Sequence, residues 1–228
     1  MSIFDSVSFD TSGFILKSEE RGWRIWQTAD GDGVGVLYFD HPPDIKADLD
    51  CVEDVRAYYR RAFSAGGVGL VEADVIQADG CLATRTIIKK PQRPAGMSYI
   101  GSITLPFRDF SFALMVECFE RGMTGARDTV VFERLLDSGT VWVDVSKRER
   151  PIQGWMRDPY DPSIQLPVMR NLADDEKYDS EFPTHPLSRV RAILRHIQPT
   201  LQLIPDLKVS PRFVFSRPQG KKPWWKIW

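Results

Sequence analysis

The chain has 228 residues, with 30 basic and 31 acidic side chains and a formal net charge of −1. At roughly 150 residues per domain, this is one large domain or one domain with an appendage. The composition, 43% hydrophobic and 11% aromatic, excludes wholesale disorder. The even charge balance excludes a chain that binds nucleic acid through its whole surface.

The opening MSIFDSVSFD carries two acids and no basic residue, which predicts neither a secretory signal nor a transit peptide. No apolar run approaches the roughly 18 residues of a membrane span. Cys51, Cys81 and Cys118 are an odd, widely spaced set. Such a set fits reduced thiols in the cytoplasm better than a disulfide framework. Without a CxxC or a Cys/His cluster, neither a zinc site nor any other metal or cofactor is expected.

In chain order, Phe14–Lys17, Trp23–Thr28 and Val34–Phe39 are rich in aromatic and β-branched residues and predict three strands. Asp30-Gly31-Asp32-Gly33 is a turn between the last two. A helix follows from Asp50, with Glu53 completing a capping-box-like pair and Cys51 in the first turn. Val52, Val55, Tyr59, Ala62 and Phe63 form its apolar face, and Ala65-Gly66-Gly67 ends it. Leu70–Gln77 and Cys81–Lys89 flank Asp79-Gly80, a strong hairpin signal. In the second of these strands Leu82, Thr84, Thr86 and Ile88 share one face. Cys81, Ala83, Arg85 and Ile87 share the other.

Ser98–Leu105 and Phe110–Phe119 make a further hairpin around Pro106–Asp109. Thr124–Ser138 predicts a second helix, capped by Thr124, with Val131, Phe132, Leu135 and Leu136 inward and Arg127 outward. Val141, Val143 and Val145 alternate as a strand. From Lys147 to His185 the periodicity fails among five prolines and the acidic run Asp174-Asp175-Glu176, which reads as a solvated loop. A third helix starts near Pro186, capped by Thr184 or His185. Leu187, Val190, Leu194 and Ile197 are its apolar face, and Arg191 and Arg195 its basic one. Arg212–Phe215 is a last short strand.

Adjacent, hairpin-linked strands predict a mostly antiparallel sheet covered by about three helices, an α+β sandwich. The expected division is a core of residues 1–146, an irregular segment 147–185, a helix and strand 186–215 packed on the core, and a tail 216–228. The element order over residues 14–145 resembles the Mog1/PsbP-like fold. The stretches YIGSITLPFRDFSF (99–112), ERGMTGARD (120–128) and DDEKYDSEFPTHPLSRVR (174–191) resemble an uncharacterised bacterial protein family. These resemblances imply a bacterial source and a non-enzymatic binding role.

Motifs of catalysis are missing. Gly31-x-Gly33-x-Gly35 leads into a strand, not a helix N-terminus, so it is a hairpin turn rather than a phosphate cradle. As a calcium loop the same stretch fails at its twelfth position, where His41 replaces the required glutamate. His41, His185 and His196 stand singly, His185 as a helix cap or surface turn. No catalytic residue is assigned.

Two segments suit partner binding. In GWMRDPYDP (154–162), Trp155, Arg157, Asp158 and Tyr160 combine the side-chain types that dominate protein interfaces. The structural alternative is that the aromatics pin the segment to the domain. From Pro205 to Trp228 six basic residues face the single acid Asp206, giving +5 and leaving −6 for residues 1–204. Lys221, Lys222, Trp224, Trp225 and Trp228 suit docking on a protein, in cis or in trans, ahead of an anionic membrane, and a membrane ahead of nucleic acid. The expectation is a cytoplasmic protein that binds another protein, such as a toxin-neutralising immunity protein or a secretion-system adaptor. The alternatives are a hydrolase with a dispersed His/carboxylate site and a peripheral membrane protein acting through the tail.

Overall fold

A computed structural model describes residues 2–149, 151–164 and 169–215. A 3-10 turn, Ile3–Ser6, leads into β1 (Val7–Ser8). The aromatic and β-branched segments then form β2 (Phe14–Glu20), β3 (Trp23–Thr28) and β4 (Gly33–Phe39). After α1 (Val52–Ala65) come β5 (Gly69–Ala78), β6 (Cys81–Pro91), β7 (Met97–Pro106) and β8 (Ser111–Phe119). The seven strands from β2 to β8 form one antiparallel sheet in the order β2-β3-β4-β8-β7-β6-β5. The β5–β6 hairpin closes at Asp79 and Gly80, with φ of 46° and 85°. Positive φ at both turn residues matches the strand twist, which is why Asp-Gly signals this turn.

The remaining elements are α2 (Ala126–Asp137), β9 (Trp142–Val143), β10 (Ile152–Gln153), α3 (Pro186–Ile197), β11 (Gln202–Leu203) and α4 (Pro205–Lys208). β9 pairs with β10, and β11 pairs with β1. The architecture is α+β, as expected.

Strand alternation sends residues to two faces. Tyr99, Ile103 and Leu105 of β7 and Phe112, Leu114 and Val116 of β8 point to one face and are essentially inaccessible. Leu187, Val190, Leu194 and Ile197 of α3 meet them there. α3 approaches closely because Gly101 has no side chain: a Cβ there would sit 2.7 Å from both Leu194 Cδ1 and Val190 Cγ1. On the other face α1 packs on β5 and β6, joining Leu70, Ala73 and Val75 to Val55 and Tyr59. The β6 face assignment read from its alternation holds throughout.

Several local expectations change. Cys51, not Asp50, is the N-cap of α1, and no side chain caps it. Asp50 instead pairs with Arg212 at 2.6 Å. Gly125 in the left-handed region, not Thr124, caps α2. Arg127 faces inward and is 1% exposed. Arg191, expected on a basic outer face, is also buried. Asp174 is wholly buried rather than solvated. The strand expected over Val141–Val145 shrinks to two residues, and Arg212–Phe215 supplies a single bridge from Arg212 to Phe107.

Candidate functional site

The chemically densest region lies at the Met97/Phe119 end of the sheet, where α2, α3 and residues 169–185 meet. Alternation in β6 and β7 delivers Lys89 and Tyr99 side by side to the α3 face. A 3-10 turn, Leu172–Asp174, brings the Asp174 carboxylate onto them. It accepts from Lys89 Nζ at 2.5 Å, from Tyr99 Oη at 2.9 Å and from the Asn171 N–H at 3.0 Å. Burial opposes the charged form of Asp174, but Lys89 and these donors outweigh it and hold the carboxyl below its ordinary value. Tyr99 moves the other way: burial and the Asp174 charge push its phenol far up.

Arg127 sits beside this cluster with every nitrogen engaged. It donates to the carbonyls of Ala173 (2.6 Å) and Asp175 (2.9 Å), and to Asp179 Oδ1 (3.0 Å) and Ser188 Oγ (2.9 Å). Arg191 from α3 reaches the Asp174 carbonyl (2.8 Å), Asp179 (3.0 Å) and Glu72 (2.7 Å). Asp128 accepts from Asn171 Nδ2 at 2.9 Å through one oxygen, while its other oxygen is buried without a hydrogen bond. Burial, and then the nearby Asp174 charge, raise its pKa.

A cleft of about 440 Å³ opens beside this network, lined in part by Glu120, Arg121, Arg127, His185 and Arg189. His185 caps α3: its Nδ1 accepts the Leu187 N–H at 3.3 Å. That bond places the ring proton on Nε2, which faces Glu120 Oε1 at 3.8 Å. Burial, followed by the Arg127 charge, pushes the imidazole down to about 3. A neutral ring whose lone pair is already used cannot accept a substrate proton at neutral pH. Glu120 is equally committed, its two oxygens accepting the Met97 and Gly125 N–H groups at 2.8 Å each. His41 lies at the opposite end of β8, exposed beside Asp40, where its carbonyl accepts from Ser111 Oγ. His185 and His41 are therefore not brought together. Asp32, from the glycine-rich turn, is buried on Arg189 through two bonds of 2.7 and 3.0 Å, so this turn anchors the β3–β4 hairpin.

The loop singled out for partner binding is held from within. Asp158 is buried and takes a two-pronged contact from Arg60, at 2.7 and 2.9 Å. Tyr160 Oη accepts the Ala73 N–H at 2.6 Å and donates to the Ala73 carbonyl at 3.0 Å, covering the edge of β5. Arg56 stacks over the Tyr160 ring at 4.0 Å. Trp155 stands edge-on to Phe132 of α2 at 5.2 Å. Arg157 is exposed, as is Met156 beside it. Lys221, Lys222, Trp224, Trp225 and Trp228 lie outside the described residues.

Next to this loop, the β9–β10 hairpin presents apolar side chains to solvent. Trp142 and Val143 are each 53% exposed and Val145 is 87% exposed. Ile152 and Met156 join them at 45% and 44%. Valine alternation located the first strand of this hairpin, but nothing in the sequence showed its side chains to be uncovered. The buried network was also missed, although a signal was present. Arg127, Val131 and Leu135 recur four apart, and Leu187 and Arg191 do the same, so each arginine shares its helix's apolar stripe.

Among the described residues no helix is long and apolar enough to cross a membrane. No protein-family model and no curated protein matches the chain. Two of the solved structures to which the chain is similar are as follows. One is the Ran-binding protein Mog1p of Saccharomyces cerevisiae, with 12% identity and a TM-score of 0.41 over 59% of this chain and 82% of that one. The other is the cyanobacterial PsbP protein of Synechocystis, with 14% identity and a TM-score of 0.34 over 60% and 84%.

Proposed function

We propose that this is a non-enzymatic accessory protein that binds a partner protein through the β9–β10 hairpin and the loop that follows it. The observation that carries this reading is the run of exposed apolar side chains Trp142, Val143, Val145, Ile152 and Met156. Val143 and Ile152 are cross-strand partners on one face of the hairpin and Trp142 stands on the other, and exposed apolar side chains grouped in this way mark interaction sites. Arg157 adds a cation at its border. Asp158, Tyr160 and Trp155 then act as the frame that presents the surface, through their bonds to α1, β5 and α2. Lys221, Lys222, Trp224, Trp225 and Trp228 belong to the same reading as a second contact segment, on composition. The state of His185 and Glu120 favours binding over hydrolysis. Three free cysteines suit a reducing, cytoplasmic setting, where an immunity protein or a secretion adaptor would act.

The test is purification of the tagged chain from its source organism, in parallel with a Val143→Lys/Ile152→Lys variant of unchanged melting temperature. The reading expects one stoichiometric partner with the wild-type chain and its loss with the variant. Repeated recovery of no partner, or equal recovery with both chains, removes it.

A further inference from the structure

His185 stands at the start of α3 with one ring nitrogen unspent. Its Nδ1 accepts the Leu187 N–H, which leaves the proton on Nε2. The side chain is only 9% exposed, and an edge-on contact with Tyr99, 5.3 Å between ring centres, holds the ring in place. Among the described residues Nε2 has no hydrogen-bond acceptor. It faces Glu120 Oε1 at 3.8 Å, too far for a direct bond. Glu120 is 7% exposed. Its oxygens have each taken one backbone N–H, from Met97 and from Gly125, and a carboxylate oxygen can accept a second donor. An enclosed donor and an enclosed acceptor, both with capacity left, therefore stand side by side on the wall of the cleft of about 440 Å³. A cleft of this volume is of small-molecule size.

The wall selects against charge. An anion at the His185 donor would meet the Glu120 carboxylate beside it. The arginines of the cleft do not compensate, because they are turned to internal acceptors. Arg189 donates to Asp32 and to the carbonyls of Thr184 and Phe119, and Arg121 to the carbonyls of Asp30 and Gly31. Arg127 is spent on the network already described. A cation would meet these three guanidinium groups. What fits is a neutral group that presents an acceptor and a donor together.

A primary carboxamide is such a group. Its oxygen and nitrogen lie about 2.2 Å apart. To span partners 3.8 Å apart, each hydrogen bond tilts by only about 15°, within ordinary geometry. A carboxylate lacks the donor, and an amidinium lacks the acceptor. Phe182, Pro183 and Pro186 supply an apolar wall for the rest of the molecule. Met123, 85% exposed at the same cleft, is a flexible side chain that can fold over it.

We propose that this cleft binds a small molecule with a primary carboxamide headgroup on an apolar body, with His185 Nε2 donating to the carboxamide oxygen and Glu120 Oε1 accepting from its nitrogen. Burial keeps the imidazole neutral at neutral pH, so the ring offers one donor and no charge. The inference is independent of the hairpin reading, because β9 and β10 line no part of this cleft.

Three probes of one shape test it on the full chain at neutral pH: benzamide, benzoate and benzamidine, which are neutral, anionic and cationic. NMR follows the Met123 methyl and the His185 ring nitrogens during each titration. The proposal expects benzamide to saturate both signals with a dissociation constant of about 1 mM or below, as suits a ligand of this size. Benzoate and benzamidine should bind at least about tenfold more weakly, since each loses one of the two hydrogen bonds. His185→Asn, which retains a capping side chain but is too short to reach the carboxamide, should weaken benzamide by a similar factor. Equal binding of the three probes overturns the proposal, because the cleft would then read only the apolar body. Preference for either charged probe overturns it as well. So does the absence of any response to benzamide well above that concentration, which would leave water alone between His185 and Glu120.

Discussion

Lys89 Nζ lies 2.5 Å from Asp174 Oδ2, with both side chains 3% exposed or less. This pair ties a central strand to the segment between Lys147 and His185 that has no periodicity. Removing one member leaves the other charge buried and uncompensated, which costs about 3–5 kcal/mol. Asp174→Ala should lower stability by that amount in urea titration. The double change Lys89→Met/Asp174→Leu should restore much of it, because no isolated charge remains.

Asp128 has a folded-state pKa above its unfolded value. Ionising it therefore costs more in the folded protein, and stability falls as pH rises through that interval. Asp128→Asn keeps an acceptor for Asn171 and removes the charge. It should stabilise the protein at neutral pH, and the gain should vanish below about pH 4, where the unfolded carboxyl is also protonated. Denaturation midpoints at both pH values measure this.

His185 has the opposite sign. Its folded pKa is pushed from 6.5 down to about 3, so unfolding takes up a proton throughout that window. Stability contributed by the neutral ring is full above about pH 6.5 and is lost on acidification, by up to about 1.4 kcal/mol per pH unit. His185→Asn retains a capping side chain. It should flatten the stability profile between about pH 6 and 4, as read from urea midpoints, with a smaller effect at neutral pH.

At Gly101, alanine places a methyl group 2.7 Å from Leu194 and Val190. α3 must then lift off β7, at a cost of about 1–3 kcal/mol. Thermal unfolding of Gly101→Ala should show the loss.

Tyr160→Phe leaves the Ala73 N–H on the outer edge of β5 without its partner, while the Ala73 carbonyl keeps the Arg56 Nε donor at 3.1 Å. The loss should be about 1–3 kcal/mol. Faster hydrogen exchange at the Ala73 amide is the local readout, and edges exposed in this way also promote self-association.

The strands of the main sheet were legible because both patterns that define them are local: alternation within a strand and turn chemistry between strands. Asp79-Gly80 marked its hairpin to the residue. Helix caps were less legible. At α1 the sequence offered Asp50 and Glu53, but Asp50 is drawn away by Arg212, 162 positions on. The acidic run 174–176 looked solvated because its counter-charge, Lys89, is 85 residues distant in sequence. By residue type Arg127 reads as outward, although its spacing from Val131 places it inward. The partner-binding loop was legible as a cluster of anchoring side chains. Which of them face solvent depends on Arg60, Ala73 and Phe132, which no local pattern connects to it.

Arg127 and Arg191 make three of their bonds to main-chain carbonyls, those of Ala173, Asp174 and Asp175. A carbonyl is present whatever side chain a residue carries, so these contacts register the path of the segment rather than its composition. These carbonyl contacts place no demand on side-chain identity, so Ala173 is limited by its burial beside Val131 and Asp175 by its pairing with Arg170, while the two arginines should resist replacement even by lysine, which lacks the planar fork. Sequence drift in the segment is then confined to exposed positions such as Glu176 and Lys177, while its course is kept by the arginines and by the buried Leu172, Ala173 and Tyr178.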